Sequence, residues 1–292
     1  MEKRKYKLKG HESFIIRDGW LTKGITAVRQ DAKLFSVNSG SDALGVGTNM
    51  AKSIRYWMRT AGLTSENNKG VFLTEIGQIV SEKDPYFEDP FSLWIIHVNI
   101  VSNYALATSW NIFFNYMNLT SAFSRDEMFE MMRSLLTEHT GEQELSERSL
   151  RDDCAAILSM YSRGGEQNDD PEEKKNSPFE ELGLLMKSGG KYLKKRPMID
   201  RIDPLVVLYI FLEQLNMEKS LHIDALTDNV NMPGKILNLN RITVNEFLDI
   251  LQNGGYIMVN RTAGLDMVYP GQCKDMTRED VVRTYYKRSS VS

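Results

Sequence analysis

The sequence predicts a mainly α fold, with winged helix-turn-helix modules at the N- and C-terminal ends around a helical middle, and short β-hairpins. Three observations point there. Apolar residues recur at helical spacing through most of the chain. Each end then carries successive helical stretches followed by a β-favouring one. Polar turns rich in Gly, Asn and Ser separate the stretches where a chain reversal is needed.

Residues 1–83 form the first module. WLTKGITAVRQDAKLF, residues 20–35, reads as a helix ending in the Ser/Gly-rich turn near NSGSDAL. A second helix runs from about Thr48 to Ala61 within LGVGTNMAKSIRYWMRTAGL and stops at Gly62. NNKGVFLTEIGQIV supplies a turn, a β-favouring run at residues 71–73, and Thr74 as the N-cap of a further helix. Helix, turn, helix, strand and helix is the order of a winged helix.

Residues 84–162 read as all helical. FEDPFSLWIIHVNIVSNYALATSWNIFFNYM is apolar enough to be buried. SRDEMFEMMRSLLTEH, capped by Ser124, places Met128, Met131, Met132 and Leu135 on an apolar stripe, and SERSLRDDCAAILSMY is amphipathic. Residues 163–177, RGGEQNDDPEEKKNS, have almost no apolar content and form a flexible loop. Residues 178–202 are a hairpin connector turning at residues 188–190. Residues 203–292 form the second module. PLVVLYIFLEQL is a core helix and LHIDALTDNV a short one. ITVNEFLDILQNGG is a third, with Ile242, Phe247, Leu248 and Leu251 as its apolar positions. Two strands then flank the turn at residues 260–264.

A composition of 41% hydrophobic and 26% charged residues is that of an ordinary globular protein. No apolar run approaches the ~20 residues that cross a bilayer. The charged MEKRKYKLKG start is unlike a signal peptide. Two cysteines, Cys154 and Cys273, exclude a disulfide framework and a four-cysteine zinc site, and fit a reducing cytoplasm. The net charge of −3 is uneven. Residues 1–63 hold 12 Lys+Arg against 5 Asp+Glu, and the rest hold 24 against 34. Such a basic end suits a polyanion.

The stretch at residues 44–63 poses a choice between a phosphate loop and a docking helix. No GxxxxGK[ST] is present, and Gly45 and Gly47 lack the third glycine of a dinucleotide loop. As a helix, Met50, Ile54, Trp57, Met58 and Ala61 share one arc, while Asn49, Lys52, Arg55, Tyr56 and Arg59 share the opposite one. That second face offers cations, an amide and a phenol to phosphates and base edges, with no acid of its own. In the C-terminal module the third helix instead offers Asn245, Glu246 and Asp249, which repel a phosphate backbone. Unless Lys235, Arg241 and Arg261 make the contact, it is a protein-contact or structural unit.

No PD-(D/E)xK, HNH or GIY-YIG pattern is evident, and Glu172-Glu173-Lys174 falls in the polar loop. His11 and Glu12, beside Arg17 and close to the basic face, are the catalytic candidates, weighed against a role in bracing the first helix. Asp152 and Asp153 suit pairing with arginine, His97 a core position, and Cys154 a packing position.

Several segments together resemble one family in order along nearly the whole chain. They are GHESFIIRDGWLTKG, LGVGTNMAKSIRYWMRTAGL with LTEIG, DPYFEDPFSLWIIH, SPFEELGLL, MPGKILNLNRITVNEFLDIL and TAGLDMVY. This is the bacterial domain-of-unknown-function family whose genes neighbour sulfurtransferases resembling phosphoadenosine-phosphosulfate reductase, in DNA phosphorothioation and phage-defence loci. One member type is the nicking component of single-strand phosphorothioation (Ssp) systems. The resemblance carries over no catalytic residue. The chain departs from the family at Thr48, where lysine is usual, and at Asp18, where an aromatic is common. The resemblance makes double-stranded DNA the expected polyanion, and a sulfurtransferase or ATPase of the same system the expected protein partner. The alternatives are a metal-dependent nickase, which would use Mg or Mn, and a winged-helix transcriptional regulator, which would be a homodimer.

Overall fold

The computed structural model describes residues 5–141, 145–163 and 177–289. Lys3 and Arg4 of the basic terminus lie outside these residues, as does nearly all of the expected loop, including Glu172, Glu173 and Lys174. The described chain is mainly helical with short β-hairpins and divides into two compact units, residues 1–195 and 196–292. Among the described residues no helix is long and apolar enough to cross a membrane.

In the first unit, α1 (Trp20–Gln30) ends earlier than its apolar pattern implies. Asp31 turns extended, its carboxylate accepts from the Lys33 amide at 2.8 Å, and the Ala32 carbonyl then accepts from Val71 N at 2.8 Å. A short α2 (Ser41–Leu44) leads through Gly45 to α3 (Thr48–Thr60). The hairpin β1 (Thr64–Asn67) and β2 (Gly70–Leu73) follows, with Ser65 opposite Phe72 and Glu66 opposite Val71. Thr74 caps α4 (Glu75–Lys83) by accepting from Gly77 N. Gly77 is required there, because a Cβ would meet the Leu63 carbonyl oxygen at 2.1 Å.

Next come α5 (Pro90–Ser102), α6 (Thr108–Asn115), α7 (Arg125–Thr140) and α8 (Glu147–Tyr161). Asp89 caps α5, with Pro90 as its first residue, and nearly every side chain of this helix is buried. A helix apolar all round belongs at the centre of a core, and α5 is that centre. Ser124 and Glu127 form a reciprocal capping box on α7. The buried stripe of α7 is Met128, Phe129, Met132 and Leu136, shifted from the expected one; Met131 is exposed and Leu135 half-buried. β3 (Ser162–Arg163) runs parallel to β4 (Leu185–Ser188), which pairs antiparallel with β5 (Lys191–Lys194) across the turn at residues 189–190.

The second unit is built on α9 (Pro204–Glu218), capped by Asp203 and buried on most sides. β6 (Leu221–His222), α10 (Ile223–Asp228), α11 (Pro233–Ile236) and α12 (Arg241–Asn253) follow. Then come β7 (Ile257–Asn260), β8 (Met267–Pro270) and α13 (Arg278–Ser289). The three strands form an antiparallel sheet in the order β6-β8-β7. Asn240 caps α12 and accepts from Thr243 N. Val244, Phe247, Leu248 and Leu251 are buried, but Ile242, expected among the apolar positions, is 69% exposed in the first turn.

Candidate nucleic-acid interface

The N-terminal arm is fixed first, and it determines which face of α3 remains open. The Lys7 amide donates to Thr108 Oγ1 at 2.9 Å, and the Lys9 amide to Asp153 Oδ1 at 2.9 Å. Farther along, the Phe14 carbonyl accepts from Trp57 Nε1 at 2.9 Å and from Ser53 Oγ at 3.3 Å. On its other side α3 packs against α1, where Gly24 lets Met58 approach so closely that a Cβ would collide with its sulfur. With arm, α1 and α6 all against it, α3 shows solvent only a narrow strip.

Asn49, Lys52 and Arg59 lie on that strip, with Arg55 half-buried beside them. Tyr56 does not. Its side chain is buried, and its hydroxyl donates to the Leu106 carbonyl at 2.8 Å. Burial, and then the nearby Asp153 charge, raise the phenol well above its usual range. A two-sided helical wheel cannot register that the helix is enclosed from a third direction.

α3 has no acid of its own, but the hairpin supplies one to its cations. Glu66 of β1 accepts from Arg55 Nε at 2.9 Å and from Arg55 Nη2 at 2.8 Å, a two-point fork. Arg59 Nη1 lies 3.9 Å from the same carboxylate. The Arg55 guanidinium also rests over the Phe35 ring, 5.4 Å from its centroid, and Lys7 Nζ stands 5.3 Å from the Tyr56 centroid. The Arg55 hydrogen bonds, followed by the charges of Arg55, Arg59 and Lys7, hold Glu66 below the usual carboxylate range. Glu66 in turn raises the Arg55 pKa. Three cations, Lys7, Arg55 and Arg59, thus act on Glu66. Neither Glu66 nor Phe35 was evident from the sequence, because TSEN lacks the β-branched run that would have marked a strand.

The catalytic candidates have a different fate. His11 is fully buried, and its Nε2 lies 2.9 Å from Asp153 Oδ1. Ser109 Oγ donates to Asp153 Oδ2 at 2.6 Å. The imidazole stacks on Trp57 and meets the edge of Trp110, with centroids 5.8 and 5.4 Å apart. His11 is thus enclosed and ties the arm to α6 and α8. Glu12 is half-buried with a left-handed backbone (φ 50°), and the N-cap position of α1 is Gly19, so neither residue caps that helix. Asp152 and Asp153 do not pair with arginine: Asp152 takes Lys9 at 2.6 Å, while Arg151 reaches Asp126. His97 is buried with its Nδ1 2.9 Å from the Tyr161 hydroxyl, and Cys154 is a buried thiol pushed up to about 12 by burial.

In the second unit, Arg241 pairs with Asp224 and Asp266, and Arg261 with Asp249 and Asn245. Ile242, Ile250, Met258 and Leu265 are exposed large apolar residues of α12, β7 and the turn that follows it. Elsewhere in the first unit, a cleft of about 380 Å³ sets Arg17 against Asp18, Glu88 and Glu181, a balance unsuited to a polyanion.

Residues 8–286 match a family described as protein of unknown function (DUF4007). No curated protein matches the chain in sequence. Among solved structures it is similar to an SspB crystal structure, with a TM-score of 0.85 and 21% identity over 98% of this chain and 89% of that one. It is also similar to a magnesium ion-bound SspB crystal structure, with a TM-score of 0.82 and 21% identity over 99% of this chain and 96% of that one. These similarities establish a shared fold. Among the described residues here, no three His, Cys, Asp or Glu side chains converge to hold a metal ion.

Proposed function

The chain belongs to the DUF4007 family, and from that premise we propose that it is the DNA-binding component of an Ssp-like phosphorothioation or phage-defence system. The observation that carries the proposal is the open strip of α3, where Lys52 and Arg59 stand exposed beside an Arg55 already held in place. In this reading α1 to β2 at the start of the first unit and α9 to β8 of the second are winged helices, with α3 as the docking helix of the first and β1–β2 as its wing. Duplex DNA would lie along the strip. Lys52, Arg59 and Lys7 would neutralise phosphates, and Asn49 and Arg55 would face the groove.

The second unit serves a protein partner in this scheme. On its docking-position helix, α12, Arg241 is engaged by Asp224 and Asp266, Arg261 of the turn after β7 reaches back to Asp249, and Ile242 and Ile250 are exposed instead. A sulfurtransferase or ATPase of the same system is the proposed occupant.

The test is duplex affinity measured across salt for the wild-type protein and for Lys52→Glu/Arg59→Glu. Each lost phosphate contact should flatten the log–log salt slope by about 0.9, so the double variant should lose close to two such steps. An unchanged affinity and slope would sink the proposal. A metal-dependent nickase is the second reading, favoured by the magnesium ion named for a protein of the same fold. It predicts conversion of supercoiled plasmid to open circles only when Mg²⁺ or Mn²⁺ is added.

A further inference from the structure

We infer that Arg55 is a base-reading residue, selective for guanine, and that Glu66 is the positioning residue that makes it so. The inference rests on the proposal that α3 meets DNA, and it adds a chemistry that the charge count does not contain.

A guanidinium carries five N–H donors in a rigid plane. Glu66 takes one from Nε and one from Nη2, the side edge of the fork. Of the three that remain, two form the end edge, the outward N–H groups of Nη1 and Nη2, which point in parallel. Such a pair matches two adjacent acceptors. In the major groove only guanine presents two, O6 and N7, whereas adenine pairs an acceptor with a donor. The plane is held from two directions, by the Glu66 fork and by the Phe35 ring 5.4 Å away. The acid sits deeper than the base it holds, with side-chain exposures of 19% for Glu66 and 41% for Arg55. Arg55 is thus the more exposed of the pair, and in this proposal its free edge meets the groove with the carboxylate behind it.

Two phosphate oxygens could accept from the same edge, but charge argues for the base. Arg55 and Glu66 together are neutral, so a phosphate gains little Coulomb energy there and is repelled by the carboxylate. A neutral guanine edge loses nothing by that neutrality and keeps both hydrogen bonds. Arg59 has only a 3.9 Å approach to Glu66 and a side chain 51% exposed, so it keeps the freedom and charge that suit phosphate.

The experiment selects binding sites from randomised duplexes using the full chain, then measures affinity on the selected duplex and on versions altered at one position. The wild-type protein should prefer guanine over the other bases at that position by about tenfold or more. Replacing it with 7-deazaguanine, which lacks the N7 acceptor, should remove most of the preference. This substitution alters only the DNA and is independent of how any variant folds. Arg55→Lys should bring the guanine ratio towards one. Glu66→Gln should tighten binding to all duplexes and steepen the salt slope while lowering the guanine ratio, a combination that mere loss of structure would not produce. Binding with no base preference, or a preference indifferent to 7-deazaguanine, overturns the inference and leaves the DNA-binding proposal standing. So does an Arg55→Lys variant that weakens all sequences equally. Failure to bind any duplex at low salt overturns both.

Discussion

His11 and Asp153 are joined by a buried 2.9 Å contact across 142 residues of sequence. Asp153 is nearly saturated, since it also accepts from the Ser109 hydroxyl and the Lys9 amide. The arm that bounds the α3 strip is thus tied to α6 and α8 through one carboxylate.

Removing that carboxylate strands several buried donors at once. Asp153→Ala should cost about 3 kcal/mol or more of unfolding free energy, and Ser109→Ala about 1 kcal/mol, by denaturant titration. Equal losses in the two variants would show that Asp153 is not the shared centre.

Gly77 packs its α-carbon against the Leu63 backbone, which cannot move aside as a side chain could. Gly77→Ala should destabilise by about 2 kcal/mol or more, and the same reasoning applies to Gly234, whose Cβ would meet the Thr227 carbonyl oxygen at 2.1 Å. Melting temperatures within experimental error of the wild type would refute both.

The Arg55–Glu66 fork sets a pH dependence with a definite sign. Glu66 is held below its usual value in the folded protein, so its contribution is complete above the unfolded value of about 4.3 and fades as pH falls through the lower folded value. Wild type should be more stable than Glu66→Gln at neutral pH, with the gap closing only in acid below that range. A gap that is constant from neutral to strongly acidic pH would contradict the fork. DNA binding by the two proteins should converge over the same range, as protonation of Glu66 removes the charge that glutamine lacks.

On α12 neighbouring apolar residues should behave in opposite ways. Ile242→Ser, at a 69% exposed position, should change stability by no more than about 0.5 kcal/mol and weaken binding of the partner protein. Phe247→Ala, at a fully buried position, should cost about 3–5 kcal/mol. A large stability loss in the first would mean that Ile242 is a core residue after all.

Local signals were legible in the sequence and long-range ones were not. Thr74 and Ser124 declare helix starts because capping chemistry needs only a few adjacent residues, and the turn at residues 188–190 is visible for the same reason. The mainly helical class follows from such signals. The departures all arise from partners distant in sequence. Ile242 and Met131 fit an apolar arc but are exposed among the described residues. Tyr56 fits a polar arc but is sealed by the segment before α6. The candidate site was half visible. Lys52, Arg55 and Arg59 share a face by helical geometry, whereas the Glu66 that fixes Arg55 lies on a polar strand with little sequence signature.

The brace between arm and helical middle also bears on how the protein is made. His11 leaves the ribosome 142 residues before its partner, about 7–30 s earlier at ordinary translation speed. Until Asp153 and Trp110 follow, the aromatic side of α3 that they and Leu106 cover stays bare. The nascent chain thus holds Trp57 and Tyr56 unshielded for that interval, the stage at which a chaperone would matter most. By the same logic, a fragment cut after α4 should be sticky and poorly soluble, however complete it looks as a module on paper.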